Sequence, residues 1–190
     1  MRKLLHFAVS MVAAVTLAVV APTAAHAATW DELHSNVWTP GTDGAPQVLS
    51  IRGGEGEAAG AEVIAWTRSF KPNGARVGDQ MWSIEPAGDG SYWIRNAGTS
   101  NQFALSVKGN AHTNGTPLVQ WWFDPMNQYQ RWVPAHREDY REWWLRNRAT
   151  GKCLGITGGG NGRAELGARA VLWDCGFGED QGWFHDSLPN

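Results

Sequence analysis

Beyond its first 27 residues, the chain alternates short apolar, β-prone runs with stretches rich in Gly, Asn, Pro and Asp, and it shows no sustained 3.6-residue periodicity. Many short strands separated by turn residues are typical of an all-β protein. The predicted strands cover residues 36–39, 91–95, 103–107, 118–123, 130–133, 142–146, 153–157, 170–173 and 182–185.

The phrase Gln-x-Trp occurs three times, and its tryptophans, Trp82, Trp132 and Trp183, lie 50 and 51 residues apart. Such a regular interval indicates an internal repeat. Each Trp carries a large apolar side chain whose N–H needs a partner. The Gln two residues earlier is predicted to serve a nearby backbone group.

Three further positions follow the same register. They are an early tryptophan (Trp38, Trp93, Trp144), a leucine (Leu49, Leu105, Leu154) and a middle tryptophan (Trp66, Trp121, Trp173). Nine of the twelve tryptophans thus fall on three equivalent positions. A single unit has too little apolar surface to fold alone, so three units must share one core. The pattern predicts a barrel-like β fold with pseudo-threefold symmetry and three repeats of four short strands, over about 38–92, 93–142 and 143–190, after a lead-in at 28–37.

Residues 1–27 are predicted to be an export signal, with a charged start, an apolar run and the small-x-small site Ala25-His26-Ala27. Ala28 would then begin a secreted chain. An uncleaved anchor is the competing interpretation, because the apolar run approaches spanning length. No later stretch predicts a membrane span. The formal net charge is −2, and no basic stripe points to nucleic acid.

Both cysteines, Cys153 and Cys175, lie in the third unit. In an exported chain the default prediction is a disulfide. A two-cysteine metal site would need further ligands, and no His has suitable spacing nearby. We therefore expect the disulfide and no metal.

These residues resemble the ricin-type β-trefoil lectin family. The third unit carries the likeness most clearly, in Asn-Arg-Ala-Thr-Gly-Lys-Cys-Leu-Gly at 147–155, Leu-Trp-Asp-Cys at 172–175 and Asp-Gln-Gly-Trp at 180–183. The resemblance implies an all-β β-trefoil, pairing of the two cysteines, and up to three shallow pockets for galactose-like sugars of glycans or glycoconjugates. In the family an Asp after the Cys-Leu pair accepts sugar hydroxyls, and an aromatic ring at the middle Trp position stacks on the sugar.

The chain departs from this pattern where the family has its Asp, since it holds Ser50, Ser106 and Gly155 there. The ring position keeps a tryptophan in all three units. The residue before Gln-x-Trp is Asp79, Tyr129 or Asp180. The second and third units are the predicted carbohydrate sites, and their candidate residues are Ser106, Gln120, Trp121, Trp122, Trp173, Asp174 and Asp180.

Two alternatives stay open at this point. The middle tryptophans could be purely structural, wedging the hairpins against the barrel. The chain also resembles lectin-like subunits of secreted toxins, such as those of cytolethal distending toxin, which deliver a separate catalytic chain. An exposed Trp30, Trp122 or Trp143 would suit such a protein-binding patch.

The sequence contains little evidence for an enzyme. There is no His-Glu-x-x-His, no Gly-x-Ser-x-Gly and no phosphate loop. We therefore expect neither catalysis nor a cofactor.

Overall fold

The computed structural model describes residues 30–40, 44–136, 142–186 and 188. The predicted export signal at 1–27 and the predicted start at Ala28 lie outside this range. The strands are β1 (Trp30–Glu32), β2 (His34–Trp38), β3 (Pro46–Ile51), β4 (Val63–Trp66), β5 (Met81–Pro86), β6 (Tyr92–Asn96), β7 (Phe103–Val107), β8 (Leu118–Trp122), β9 (Arg131–His136), β10 (Trp143–Asn147), β11 (Cys153–Ile156), β12 (Ala170–Trp173) and β13 (Trp183–Phe184). Short 3-10 turns cover Gly78–Gln80, Ala97–Thr99, Lys108–Asn110, Gln128–Gln130 and Glu179–Gln181. None of these helical turns is long and apolar enough to cross a membrane.

Strand pairing repeats three times around the molecule. The first and last strands of each unit pair, β1 with β5, β6 with β9 and β10 with β13. Each last strand also pairs with the first strand of another unit, β5 with β6, β9 with β10 and β13 with β2. Because β1 and β2 flank Leu33 as parts of one strand, these pairings close a ring. The hairpins β3–β4, β7–β8 and β11–β12 complete the units. The predicted β-trefoil with pseudo-threefold symmetry is confirmed.

The strand register corrects the prediction for the first unit. Trp132 lies opposite Tyr92 and Trp183 opposite Trp143, whereas Trp82 lies opposite Asp31. The residues that follow Tyr92, Trp143 and Asp31 are therefore equivalent, and they are Trp93, Trp144 and Glu32. The prediction that Trp38 is equivalent to Trp93 and Trp144 was wrong. Leu33 and Val37 are fully buried in the core. The first unit thus starts at β1, within the segment predicted to be a lead-in.

The Gln-x-Trp tryptophans lie in the shared core, and each is fully buried. Their indole N–H groups donate to the backbone carbonyls of the three repeated leucines. The distances are 2.9 Å from Trp82 to Leu49, 3.2 Å from Trp132 to Leu105 and 3.1 Å from Trp183 to Leu154. Each bond joins the last strand of a unit to its second strand and satisfies a donor that burial would otherwise leave unpaired.

The glutamine of each repeat holds the loop that precedes it. Gln80 accepts from the Ser69 N–H at 2.8 Å and donates to the Thr67 carbonyl at 2.9 Å. Gln130 likewise accepts from the Asp124 N–H and donates to the Trp122 carbonyl. Gln181 accepts from the Gly176 N–H and donates to the Asp174 carbonyl. The prediction that this glutamine serves backbone groups is confirmed. These loops form one wall of three surface hollows, one in each unit.

Candidate functional site

Each unit has a hollow between its middle tryptophan and the turn that precedes Gln-x-Trp. The volumes are about 400, 380 and 700 Å³ for the first, second and third units. These volumes are in the usual range for small-molecule sites. The three hollows are equivalent by the fold, so their differences come from side chains.

The middle tryptophans are partly exposed, with 38% of Trp66, 47% of Trp121 and 49% of Trp173 accessible. A purely structural, buried role does not explain this. Each ring lies against a glycine of another unit. A Cβ there would lie 3.5 Å from Trp66 at Gly167, 3.4 Å from Trp121 at Gly60 and 3.7 Å from Trp173 at Gly115.

These three glycines have positive φ of 80°, 94° and 81° and donate their N–H groups to the carbonyl before each tryptophan, at 2.8–2.9 Å. Backbone from another unit thus fixes each ring while leaving part of it exposed. A fixed aromatic ring in a hollow can stack on the apolar face of a sugar.

The third hollow contains a carboxylate without a partner side chain. Within the part of the chain that the structure describes, no other residue donates a hydrogen bond to the Asp180 carboxylate. Burial raises the pKa of Asp180 above its usual value, and the adjacent N–H of Asp180 itself offsets the rise only in part. A half-buried acceptor with unused lone pairs is suited to receive hydroxyl groups from a ligand.

Gly155 faces the Asp180 carboxylate across the third hollow. A Cβ at Gly155 would lie 3.1 Å from Asp180 Oδ2, and one at Gly178 would lie 2.7 Å from Asp180 Oδ1. The Asp180 carboxylate therefore occupies the space that a side chain at 155 would enter. The carboxylate of this hollow therefore lies on the turn before Gln-x-Trp and not on the strand that faces it.

Asp174 lies at the rim of the same hollow and is already engaged. Lys152 Nζ pairs with Asp174 Oδ1, and Asn114 Nδ2 donates to Oδ2 at 2.8 Å. The hydrogen bonds from Lys152 and Asn114 lower the pKa of Asp174. Asp174 thus stays ionised and presents a polar rim together with Lys152 and Asn114.

The first hollow has an acid, but its acceptor is occupied. The Ser50 hydroxyl donates to Asp79 Oδ2 at 2.7 Å, and Asp79 is only 6% exposed. Burial raises the pKa of Asp79, and the bond from Ser50 offsets part of that rise. Because the Ser50 hydroxyl already occupies a lone pair of Asp79, the Asp79 carboxylate can accept fewer hydrogen bonds from a ligand than the Asp180 carboxylate can.

The second hollow contains no carboxylate in its described lining, which includes Ser106, Lys108, Trp121 and Asn127. Tyr129 replaces the acid, and its hydroxyl lies 2.9 Å from His112 Nε2. This hollow therefore offers a ring, the Lys108 ammonium group and amide or hydroxyl groups.

The structure brings together some of the predicted site residues and separates others. Trp173, Asp174 and Asp180 line the third hollow, and Ser106 and Trp121 line the second. Gln120 is fully buried, and its amide donates to the carbonyls of Glu57 at 2.6 Å and Ala58 at 3.1 Å. It therefore anchors a loop of the first unit, and its assignment to the sugar site was wrong.

Trp122 was also wrongly assigned to the second hollow, because successive strand residues point to opposite faces. Its ring packs edge-on against Phe103, with centroids 4.7 Å apart, and is 55% exposed. Sequence reasoning missed Lys152 and Asn114. Lys152 lies within the matched segment 147–155, but Asn114 belongs to the second unit, so no motif of the third unit points to it.

The predicted disulfide is present and borders the third hollow. Cys153 on β11 is bonded to Cys175 after β12, with Cα atoms 5.1 Å apart and a sequence separation of 22 residues. It holds the segment with Asp174 against the strand with Gly155. Among the described residues no group of three or more His, Cys, Asp and Glu side chains is arranged to hold a metal ion.

Replacing both cysteines with serine is expected to lower the free energy of unfolding by about 3 kcal/mol, because the unfolded chain regains loop entropy. Urea denaturation of the oxidised protein and the variant measures this difference. Dithiothreitol should destabilise the unaltered protein alone. Equal stability of the two proteins would contradict a stabilising role for this bond.

Comparison with known proteins agrees with this architecture. Residues 46–121 match a family model described as a ricin-type beta-trefoil lectin domain-like family. A search of curated protein sequences found no match.

Three solved structures show the fold. The designed threefold symmetric protein ThreeFoil has a TM-score of 0.65 and 20% identity, over 81% of this chain and 95% of that chain. A Polyporus squamosus lectin, bound to an influenza-binding epitope that contains Neu5Acα2-6Gal, has a TM-score of 0.61 and 20% identity, over 83% of this chain and 48% of its own. The Haemophilus ducreyi cytolethal distending toxin has a TM-score of 0.56 and 13% identity, over 80% and 81%. At these identities the likeness concerns the fold alone.

Proposed function

We propose that the chain, which carries a ricin-type β-trefoil lectin-like domain, is a secreted, non-catalytic module that binds carbohydrate mainly through its third hollow. The observation that carries the proposal is the half-buried Asp180 carboxylate, unpaired among the described side chains, which lines the same hollow as the half-exposed Trp173. An acceptor beside a flat ring suits a sugar, which has hydroxyl groups at its edge and an apolar face.

Each group in the third hollow has a distinct role in this proposal. The Trp173 ring stacks on the C–H face of the sugar, and Asp180 accepts hydrogen bonds from two hydroxyls. Asp174, Lys152 and Asn114 meet the groups at the rim. An epimer with one hydroxyl reversed leaves a partly buried acceptor unpaired, and this provides discrimination.

The first and second hollows contribute less, since one acceptor is occupied and the other is absent. A single shallow site binds weakly. Multivalent display of the glycan, or attachment of the module to a partner, would raise the avidity.

A glycan array on the protein that starts at Ala28 tests the proposal, followed by titration calorimetry with the best glycan. Trp173→Ala is expected to reduce affinity about tenfold, which is the upper range for one lost ring contact. Trp66→Ala, the matched change in the first hollow, should have a much smaller effect. Circular dichroism should show both variants folded. If no glycan binds, or if Trp173→Ala binds as the unaltered protein does, the proposal is wrong.

A second candidate is a non-catalytic targeting subunit that binds a protein or host surface, with a separate secreted catalytic chain as partner. Four tryptophans lie outside the repeat positions that the structure defines: Trp30, Trp38, Trp122 and Trp143. Of these only Trp122 is exposed, at 55%, and the nearby Met126 is 78% exposed. A surface of this kind suits a protein contact. Cell-surface binding that is lost in Trp122→Ala and kept in Trp173→Ala would favour this candidate.

A further inference from the structure

A fourth hollow, called the central hollow here, lies between the first and third units and has a volume of about 900 Å³. Its charged lining consists of Arg52, Arg163 and Arg169 with Glu62 and Glu165. In a chain with more acidic than basic residues, three arginines around one hollow stand out.

The charges in the central hollow do not cancel. Arg52 Nε and Arg169 Nε both pair with one oxygen of Glu62, at 3.2 and 3.1 Å. Burial alone would raise the pKa of Glu62, but the hydrogen bond and charge of Arg169, with the charges of Arg52 and Lys108, lower it. Glu62 therefore stays ionised and is shared by more than one cation.

Donors remain available on these arginines. Within the described residues, both terminal nitrogens of Arg169 lack a hydrogen-bond partner. Of the two terminal nitrogens of Arg52, only Nη2 is engaged, and it donates to the Gly167 carbonyl at 2.9 Å. Arg163 stacks its guanidinium 4.5 Å from the centre of the Trp38 ring and pairs with no described carboxylate. Stacking positions the guanidinium without using its hydrogen-bond donors.

The central hollow is continuous with two of the sugar hollows. It shares Thr157, Gly158 and Arg169 with the third hollow and Arg52 with the first. A saccharide held by Trp173 can therefore extend past Gly158, so that its next residue meets Arg169 and Arg163.

We propose that the chain prefers anionic saccharides, in which the residue next to the one stacked on Trp173 carries a carboxylate or a sulfate held in the central hollow. This inference rests on the proposed function and adds the chemical class of the ligand. Arg163 and Arg169 bind the anion through planar donor pairs that suit carboxylate and sulfate oxygens.

The test compares three probes by titration calorimetry: a neutral galacto-oligosaccharide, the same oligosaccharide with a uronic acid at its end, and its sulfated form. At least one anionic form should bind about fivefold more tightly than the neutral one, as expected for exposed ion pairs. The advantage should shrink between 50 and 300 mM NaCl because salt screens these charges. Comparison of the affinities for the uronic acid probe and the sulfated probe shows whether the hollow prefers a carboxylate or a sulfate.

Arg163→Gln should remove most of this advantage and leave binding of the neutral probe unchanged, since Arg163 does not line the third hollow. Arg148→Gln is the control, because Arg148 is an exposed arginine paired with Asp89 and lies outside the hollow. Sodium sulfate alone should not displace the neutral probe. Equal binding of neutral and anionic probes overturns this inference and leaves the proposed function standing. Sulfate binding with no saccharide bound, or no binding of any probe, overturns both.

Discussion

Replacement of Trp183 by alanine is expected to lower the free energy of unfolding by about 3–5 kcal/mol, a large part of the total stability of a domain this size. Trp183 is fully buried, and its N–H donates to the Leu154 carbonyl at 3.1 Å. The change removes a ring from the shared core and leaves that carbonyl without its partner. Because the core is common to the three units, loss of one ring should weaken all three together. Urea denaturation followed by fluorescence and circular dichroism measures the effect.

Trp122→Ala provides the matched control, since it removes the same side chain from the surface. Trp122 is 55% exposed and packs against Phe103 alone among the described aromatic rings. We expect a loss of about 0.5–1.5 kcal/mol there, the usual range for one aromatic pair. A similar small loss in Trp183→Ala would contradict the role of the Gln-x-Trp tryptophans as the common core.

The architecture was predictable because the same motif, with the same need to bury a ring and to pair an amide, occurs three times in register. One Gln-x-Trp carries little information, but three in register imply three buried rings and three buried amides. The structure gives each ring a leucine carbonyl and each glutamine two backbone partners. A period in the sequence therefore predicted the interior of the molecule better than the ends of its strands.

The first unit was harder to predict because it replaces an apolar residue by an acid. Glu32 holds the position of Trp93 and Trp144 and is fully buried. Its carboxylate is paired with Arg68 Nε at 2.6 Å and Arg76 Nη1 at 3.2 Å. Partners that are distant in the sequence compensate this burial, and a pattern of apolar residues does not reveal them. The prediction consequently chose Trp38, the nearest tryptophan, and placed the start of the unit too late.

The sequence predicted the middle tryptophans and, where present, the aspartates of the candidate sites, but it did not predict which residues these side chains contact. Whether an aspartate is free or occupied depends on the strand opposite, where Ser50 engages Asp79 and Gly155 leaves Asp180 open. Gln120 was misjudged because its amide serves the loop of another unit, at Glu57 and Ala58. Contacts between units decide these roles, and single-unit motifs do not encode them.

Asp180→Asn is expected to weaken sugar binding by about 1.5–3 kcal/mol, or roughly 10- to 150-fold, the usual value of hydrogen bonds to a charged group. Asparagine keeps the shape but loses the charge and part of the acceptor capacity. In the unaltered protein, affinity should decrease as the pH is lowered, because the Asp180 carboxylate takes up a proton. This decrease should begin above the usual pH range for an aspartate, because burial raises the pKa of Asp180. The variant should lack this pH dependence. Calorimetric titrations between pH 4 and 7 measure both effects, and a variant with unchanged affinity at pH 7 would contradict the assigned role.

The same substitution should not reduce stability, which separates a binding role from a structural one. A pKa raised by folding means that the native state binds more protons than the unfolded state between the two pKa values, so stability falls as pH rises through that window. At pH 7 the ionised Asp180 is therefore a cost, and Asp180→Asn should be at least as stable as the unaltered protein. The difference should disappear in acid, where both forms are neutral. Asp79→Asn is the control, since it alters the bond with Ser50 in the first hollow. A carboxylate that costs stability and has no partner side chain within the described fold is consistent with the role in ligand binding that we propose for Asp180.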